Sequence, residues 1–297
     1  MVGYDSGSRV GADITCLIDA YESNSDFDEN TSELVRMAGR TLDALQESGF
    51  GIGAGRDIIT AYSRHSDFDK SAVELEDAAV PTIEAFAGSG FVPQLACDLI
   101  MEYSKQADFD KSVGELKPCV VRTIGALKRT GRKGEGALGL VQAYSRRAGF
   151  DKSVEDLSGA VVATIEMLPR ANATADDACR LIEAYSGASD FDASVSDLCT
   201  AVLKTIDYMA DKRKSTADIV ESIMSANGSS REQHERGWQA RKANIMNNHW
   251  KPVAWYKLYM EAIRHIVTMP EHSVDDLCSI VTGDWHSPRD CISEDYD

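Results

Sequence analysis

Pairs of aspartates one residue apart recur along this chain, as Asp26/Asp28, Asp67/Asp69, Asp108/Asp110 and Asp190/Asp192. Carboxylates at that spacing open the calcium loop of an EF-hand, which also needs further oxygen ligands and a glycine at its sharp turn. Neither follows any of these pairs. A fifth stretch of the same kind, the fourth in chain order, carries Gly149 in place of the first aspartate and is otherwise intact, which points to a turn rather than an ion site. His265 and His272 lie near Asp275 and Asp276, but no HxxxH or HExxH spacing occurs to make their ligands converge. The run GFGIGAGRD (49–57) has glycine spacing without a preceding strand, and no GxxxxGKS/T or GxSxG is present. No catalytic, cofactor-binding or metal-ligating residue is therefore assigned, no cofactor is expected, and the reading leans away from an enzyme.

Binding chemistry is better represented. Arg64, Lys105 and Arg146 share one register, and Lys70, Lys111 and Lys152 share another. Stacked, they would form either a groove for an extended acidic peptide or nucleic acid, or charge pairs between neighbouring turns. The alternating signs favour the pairs. All four tryptophans lie in the last sixty residues, and residues 229–268 carry seven Lys/Arg against three acids. Trp238, Arg241, Trp250, Trp255 and Tyr256 are thus candidate partner-binding residues, because Trp, Tyr and Arg dominate interface hot spots. The competing reading is that these aromatics cap a core.

The elements that position these groups follow from a repeat. Tyr21, Tyr62, Tyr103, Tyr144 and Tyr185 stand 41 residues apart with no insertion, as do Phe27, Phe68, Phe109, Phe150 and Phe191. The same step relates Asp28, Asp69, Asp110, Asp151 and Asp192, then Leu34 to Leu198, then Thr41, Thr82, Thr123, Thr164 and Thr205. Each copy reads as two helices. The first ends at the tyrosine and carries an apolar stripe three, four and seven residues before it, as in Ile182, Leu181 and Ala178. The second starts from Asn30, Ser71, Ser112, Ser153 or Ser194, each followed three residues later by an acid, the pattern of a capping box. The threonine lies on the inward stripe, and its hydroxyl is expected to bond the carbonyl one turn back. The phenylalanine is expected to plug the turn from beneath, and the aspartate two before the cap to bond turn amides or reach the next copy.

A helical hairpin cannot cover its own apolar face, but stacked hairpins can. The 41-residue unit, with its DFDKSV turn, resembles HEAT-like and armadillo-like repeats over residues 9 to about 212. The resemblance implies an all-α fold, a right-handed α-solenoid of about five hairpins with diverged C-terminal capping helices, and a binding scaffold as its role. The expected organisation is a disordered lead at 1–8, the five repeats at 9–212, diverged repeats forming a helical cap at 213–282, and a flexible tail at 283–297. STADIVESIMSAN (215–227) fits the first helix of a sixth copy, and SVDDLC (273–278) echoes SVSDLC (194–199).

The net charge of −17 disfavours a nucleic-acid partner, since phosphate binding needs a cationic surface. No apolar run reaches the ~18 residues of a membrane span. The seven cysteines form no CxxC and are expected to be reduced and buried, as in the cytoplasm. The leading expectation is a non-enzymatic scaffold for a protein partner, self-association among the possibilities. The alternatives are an α/α-toroid enzyme or ligand-binding protein with a central site, and an RNA-binding helical repeat.

Overall fold

The structure is a computed structural model and describes residues 6–149, 152–188 and 194–228. Among these residues the chain is all-helical, with no strand. Its helices are α1 (Ser6–Asn24), α2 (Thr31–Ser48), α3 (Ile52–His65), α4 (Ala72–Phe86), α5 (Gln94–Gln106) and α6 (Val113–Thr130). They continue with α7 (Gly134–Arg147), α8 (Val154–Met167), a 3-10 turn (Leu168–Ala171), α9 (Ala175–Ala188), α10 (Val195–Lys212) and α11 (Thr216–Gly228). No helix among the described residues is long and apolar enough to cross a membrane.

The even helices begin one residue after the caps read from the sequence. Ser71, Ser112, Ser153 and Ser194 accept the backbone N–H of Glu74, Glu115, Asp156 and Asp197. At Ser71, Ser112 and Ser194 the acid also reaches back to the cap's N–H, satisfying two donors that a helix start leaves free. Asn30 differs, taking the N–H of Ser32. The odd helices run three residues past their tyrosines, so Arg64, Lys105 and Arg146 lie on last helical turns. After the even helices the chain turns through left-handed backbone at Gly49, Gly90, Gly131, Asn172 and Arg213, again 41 residues apart (φ +74°, +73°, +65°, +52° and +53°).

Each helix from α1 to α10 packs on its hairpin partner, and second neighbours pack as well: odd on odd from α1 to α11, even on even from α2 to α10. The buried face is built from the apolar stripes, with Tyr21, Tyr62, Tyr103 and Tyr144 wholly enclosed. Small residues let the rows close. Ala96, Ala137 and Ala178 are fully buried, and a methyl group on Gly55 would sit 2.8 Å from Leu45 Cδ1. On the α2–α4 seam the buried Glu76 carboxylate is held by Arg40 at 2.8 Å and Arg36 at 3.5 Å.

Candidate functional site

The turns between the two helices of each hairpin stack edge to edge. Asp26 N–H donates to the Lys70 carbonyl at 2.8 Å, Asp67 to Lys111 at 3.2 Å, and Asp108 to Lys152 at 2.8 Å. In return, Lys70 N–H donates to Asp26 Oδ2 at 2.9 Å and Lys152 N–H to Asp108 Oδ2 at 3.0 Å. The lysine ammonium groups lie 3.6–3.7 Å from the same carboxylates. Cross-turn bonding therefore belongs to Asp26, Asp67 and Asp108, the first aspartate of each described pair, not to the one two before the cap. The Lys70, Lys111 and Lys152 register is taken up by this pairing. The offset of 44 residues was a readable signal, because the step that carries Gly149 instead of aspartate also carries Ala193 instead of lysine.

With the first aspartate engaged, the first three turns present their phenylalanine and second aspartate outward. Phe27 is 55% exposed, Phe68 64% and Phe109 42%. The phenylalanine is thus no plug: the turn is closed by backbone and carboxylate bonds, which leave the ring no pocket to fill. Asp28, Asp69 and Asp110 are exposed beside the rings, and none has a hydrogen bond or ion pair among the described residues. Asp110 adopts left-handed backbone, with φ +60°. Since the turns are hydrogen-bonded to one another, the three Phe–Asp units form a single ridge. Phe150 and Asp151 of the fourth copy lie outside the described residues.

Arg64, Lys105 and Arg146 are exposed and unpaired among the described residues. Arg64 borders an open groove of about 900 Å³ between α1 and α3, lined also by Asp19, Arg56 and Asp57, and a smaller one between α3 and α5 with Asp98 and Met101. The grooves carry both signs of charge. Trp238, Arg241, Trp250, Trp255 and Tyr256 lie outside the described residues.

The inward-facing signature residues have a different job. The hydroxyls of Tyr21, Tyr62, Tyr103 and Tyr144 lie 2.7–2.8 Å from Oγ1 of Thr41, Thr82, Thr123 and Thr164, and Tyr185 pairs likewise with Thr205. Thr41, Thr82, Thr123 and Thr205 donate to the carbonyl four residues back at 2.8–3.0 Å, as expected from the sequence. The tyrosine partner was missed, although the Tyr-to-Thr spacing is 20 in every copy. Burial pushes all five tyrosines upward in pKa, Tyr185 to about 12. It likewise raises the Cys97 and Cys179 thiols to about 11, so neither is poised as a nucleophile. Cys16, Cys97, Cys119, Cys179 and Cys199 are free thiols. No group of three or more His, Cys, Asp or Glu among the described residues is arranged to hold a metal ion.

Comparison of the chain with protein-family models, with curated proteins and with solved structures returned no match.

Proposed function

We infer that the chain is a right-handed α-solenoid of five 41-residue hairpins, extended by diverged hairpins at its carboxyl end, and that it serves as a non-enzymatic scaffold for a protein partner. The partner is held on the ridge of Phe27, Phe68 and Phe109. Odd-on-odd and even-on-even packing supports the solenoid, since each hairpin uses its neighbours to cover its apolar stripes.

The observation that carries the binding role is the phenylalanine ladder. A large apolar residue kept in all five copies of the sequence, and exposed in the three copies where it is described, is not maintained by the core. Nor is it a passive residue of copying, because neighbouring exposed positions have diverged. At the register of residue 32 the five copies carry Ser32, Val73, Gly114, Glu155 and Ser196, all exposed. Apolar groups repeated along one exposed line mark an interaction surface.

The test is site-specific photo-crosslinking in the native cell, with a photoreactive phenylalanine analogue at position 68 and, as control, at the exposed Glu84. A discrete adduct from position 68, absent from position 84 and lost when Phe27 and Phe109 are changed to serine, is expected. Identical adduct patterns from both positions would remove the ridge as the binding surface.

A further inference from the structure

We propose that the partner held by this ridge is a second copy of the same chain, docking through its basic, tryptophan-bearing segment 229–268. This rests on the ridge being a binding surface and names what it takes.

The ridge states its own requirements. Lys70, Lys111 and Lys152 are matched against Asp26, Asp67 and Asp108, so those charges cancel within the turns. What remains at each level is an exposed ring beside a carboxylate with no ion pair among the described residues: Phe27 with Asp28, Phe68 with Asp69, Phe109 with Asp110. A Lys or Arg side chain suits such a unit, pairing with the carboxylate while its cation lies over the ring face. Aromatic residues suit the apolar strip between levels.

One stretch of the chain has that composition. Residues 229–268 hold seven Lys/Arg against three acids, with Trp238, Trp250, Trp255 and Tyr256, in a protein whose net charge is −17. Local inversion of sign within so acidic a chain makes the segment complementary to the rest of the molecule. A second copy is favoured over the segment's own ridge by the order of packing. The ridge belongs to the first three hairpins, while the segment leaves α11, which packs on α9. Docking in trans is then head to tail, a heterologous contact that leaves one ridge and one segment free and extends into open chains.

The experiment uses full-length protein and sedimentation velocity. The wild type is expected to grow in mass with concentration at low salt. It should return toward 32.4 kDa in about 0.5 M salt, where charge attraction is screened within a few ångströms. A ridge variant (Phe27→Ser, Phe68→Ser, Phe109→Ser) and a segment variant (Trp238→Ala, Trp250→Ala, Trp255→Ala) should each stay monomeric. Their equimolar mixture should form a species of twice the monomer mass, since one intact ridge meets one intact segment.

Because the tryptophans could also serve packing, a second pair keeps the apolar bulk. Arg241→Glu, Lys242→Glu, Lys257→Glu should be monomeric, and should regain association when mixed with Asp28→Lys, Asp69→Lys, Asp110→Lys. A wild type that stays monomeric at every concentration in low salt overturns the proposal. So does a pair of cooperatively melting variants that fails to associate on mixing. A monomeric wild type that still gives the adduct at position 68 removes self-docking alone, whereas loss of that adduct removes the ridge itself.

Discussion

The Tyr62 hydroxyl donates to Thr82 Oγ1 at 2.8 Å because Thr82 has already given its proton to the Ala78 carbonyl at 2.8 Å. The direction of the relay is fixed by that arithmetic of protons, and it ties the two helices of one hairpin through a buried contact. Thr82→Val keeps the shape but leaves the tyrosine hydroxyl stranded, at a cost of about 1–3 kcal/mol. Tyr62→Phe should cost less, since Thr82 keeps its carbonyl. The double variant should recover part of the Thr82→Val loss. Chemical denaturation of the four proteins checks this, and additive losses in the double variant would refute the relay.

Alkaline stability follows from the same residues. Burial raises the pKa of Tyr21, Tyr62, Tyr103, Tyr144 and Tyr185 above the ~10 of an unfolded chain. A raised folded-state pKa on a group that becomes anionic gives stability that is whole below pH ~10 and lost as pH rises beyond it. Five of the ten tyrosines should therefore ionise only as the helices melt. Tyrosinate absorbance and far-ultraviolet circular dichroism, followed together, test this. Free titration of those five with helicity intact would contradict their burial.

The left-handed turns make a backbone prediction. Gly131 has open space around its Cα, so Gly131→Ala meets no clash and loses stability through φ alone, by about 1 kcal/mol. Arg213→Gly relieves a left-handed L-residue and should not destabilise. A lower melting temperature for Arg213→Gly would show that the φ of +53° is no burden there.

The turn ladder separates a charge from a hydrogen bond. Lys152 Nζ is 3.7 Å from Asp108 and also donates to the Ser145 carbonyl at 3.0 Å. Asp108 Oδ2 accepts the Lys152 backbone N–H at 3.0 Å as well. Asp108→Ala, which loses charge and acceptor, should thus cost more than Asp108→Asn, which still accepts. Thermal melts of the two variants give the order directly.

Ser112 accepts the Glu115 N–H at 3.3 Å and receives Glu115's carboxylate in return. Ser112→Ala should cost about 1 kcal/mol. An unchanged melting curve would mean that the α6 start draws nothing from its cap.

Much of the architecture was legible because it is written in local rules. The caps Asn30, Ser71, Ser112, Ser153 and Ser194 mark helix starts to the residue, and the stripe of Ala178, Leu181, Ile182 and Tyr185 marks an inward face. Pairings across a hairpin were harder to see. A stripe places Tyr103 and Thr123 inward on separate helices but does not say that they meet. The phenylalanines were misplaced for a general reason: buried positions demand apolar residues, but apolar residues do not demand burial. Phe68 sits in a turn whose hydrogen bonds already close it, a fact of three dimensions. The αL residues escaped because the register changes type, from Gly131 to Asn172 to Arg213, while keeping its backbone.

That change of type gives the molecule a direction. Gly49, Gly90 and Gly131 adopt a positive φ without a steric cost, Asn172 tolerates it, and Arg213 is held in it. Backbone strain in this register therefore falls on Asn172 and Arg213 and not on the three glycines.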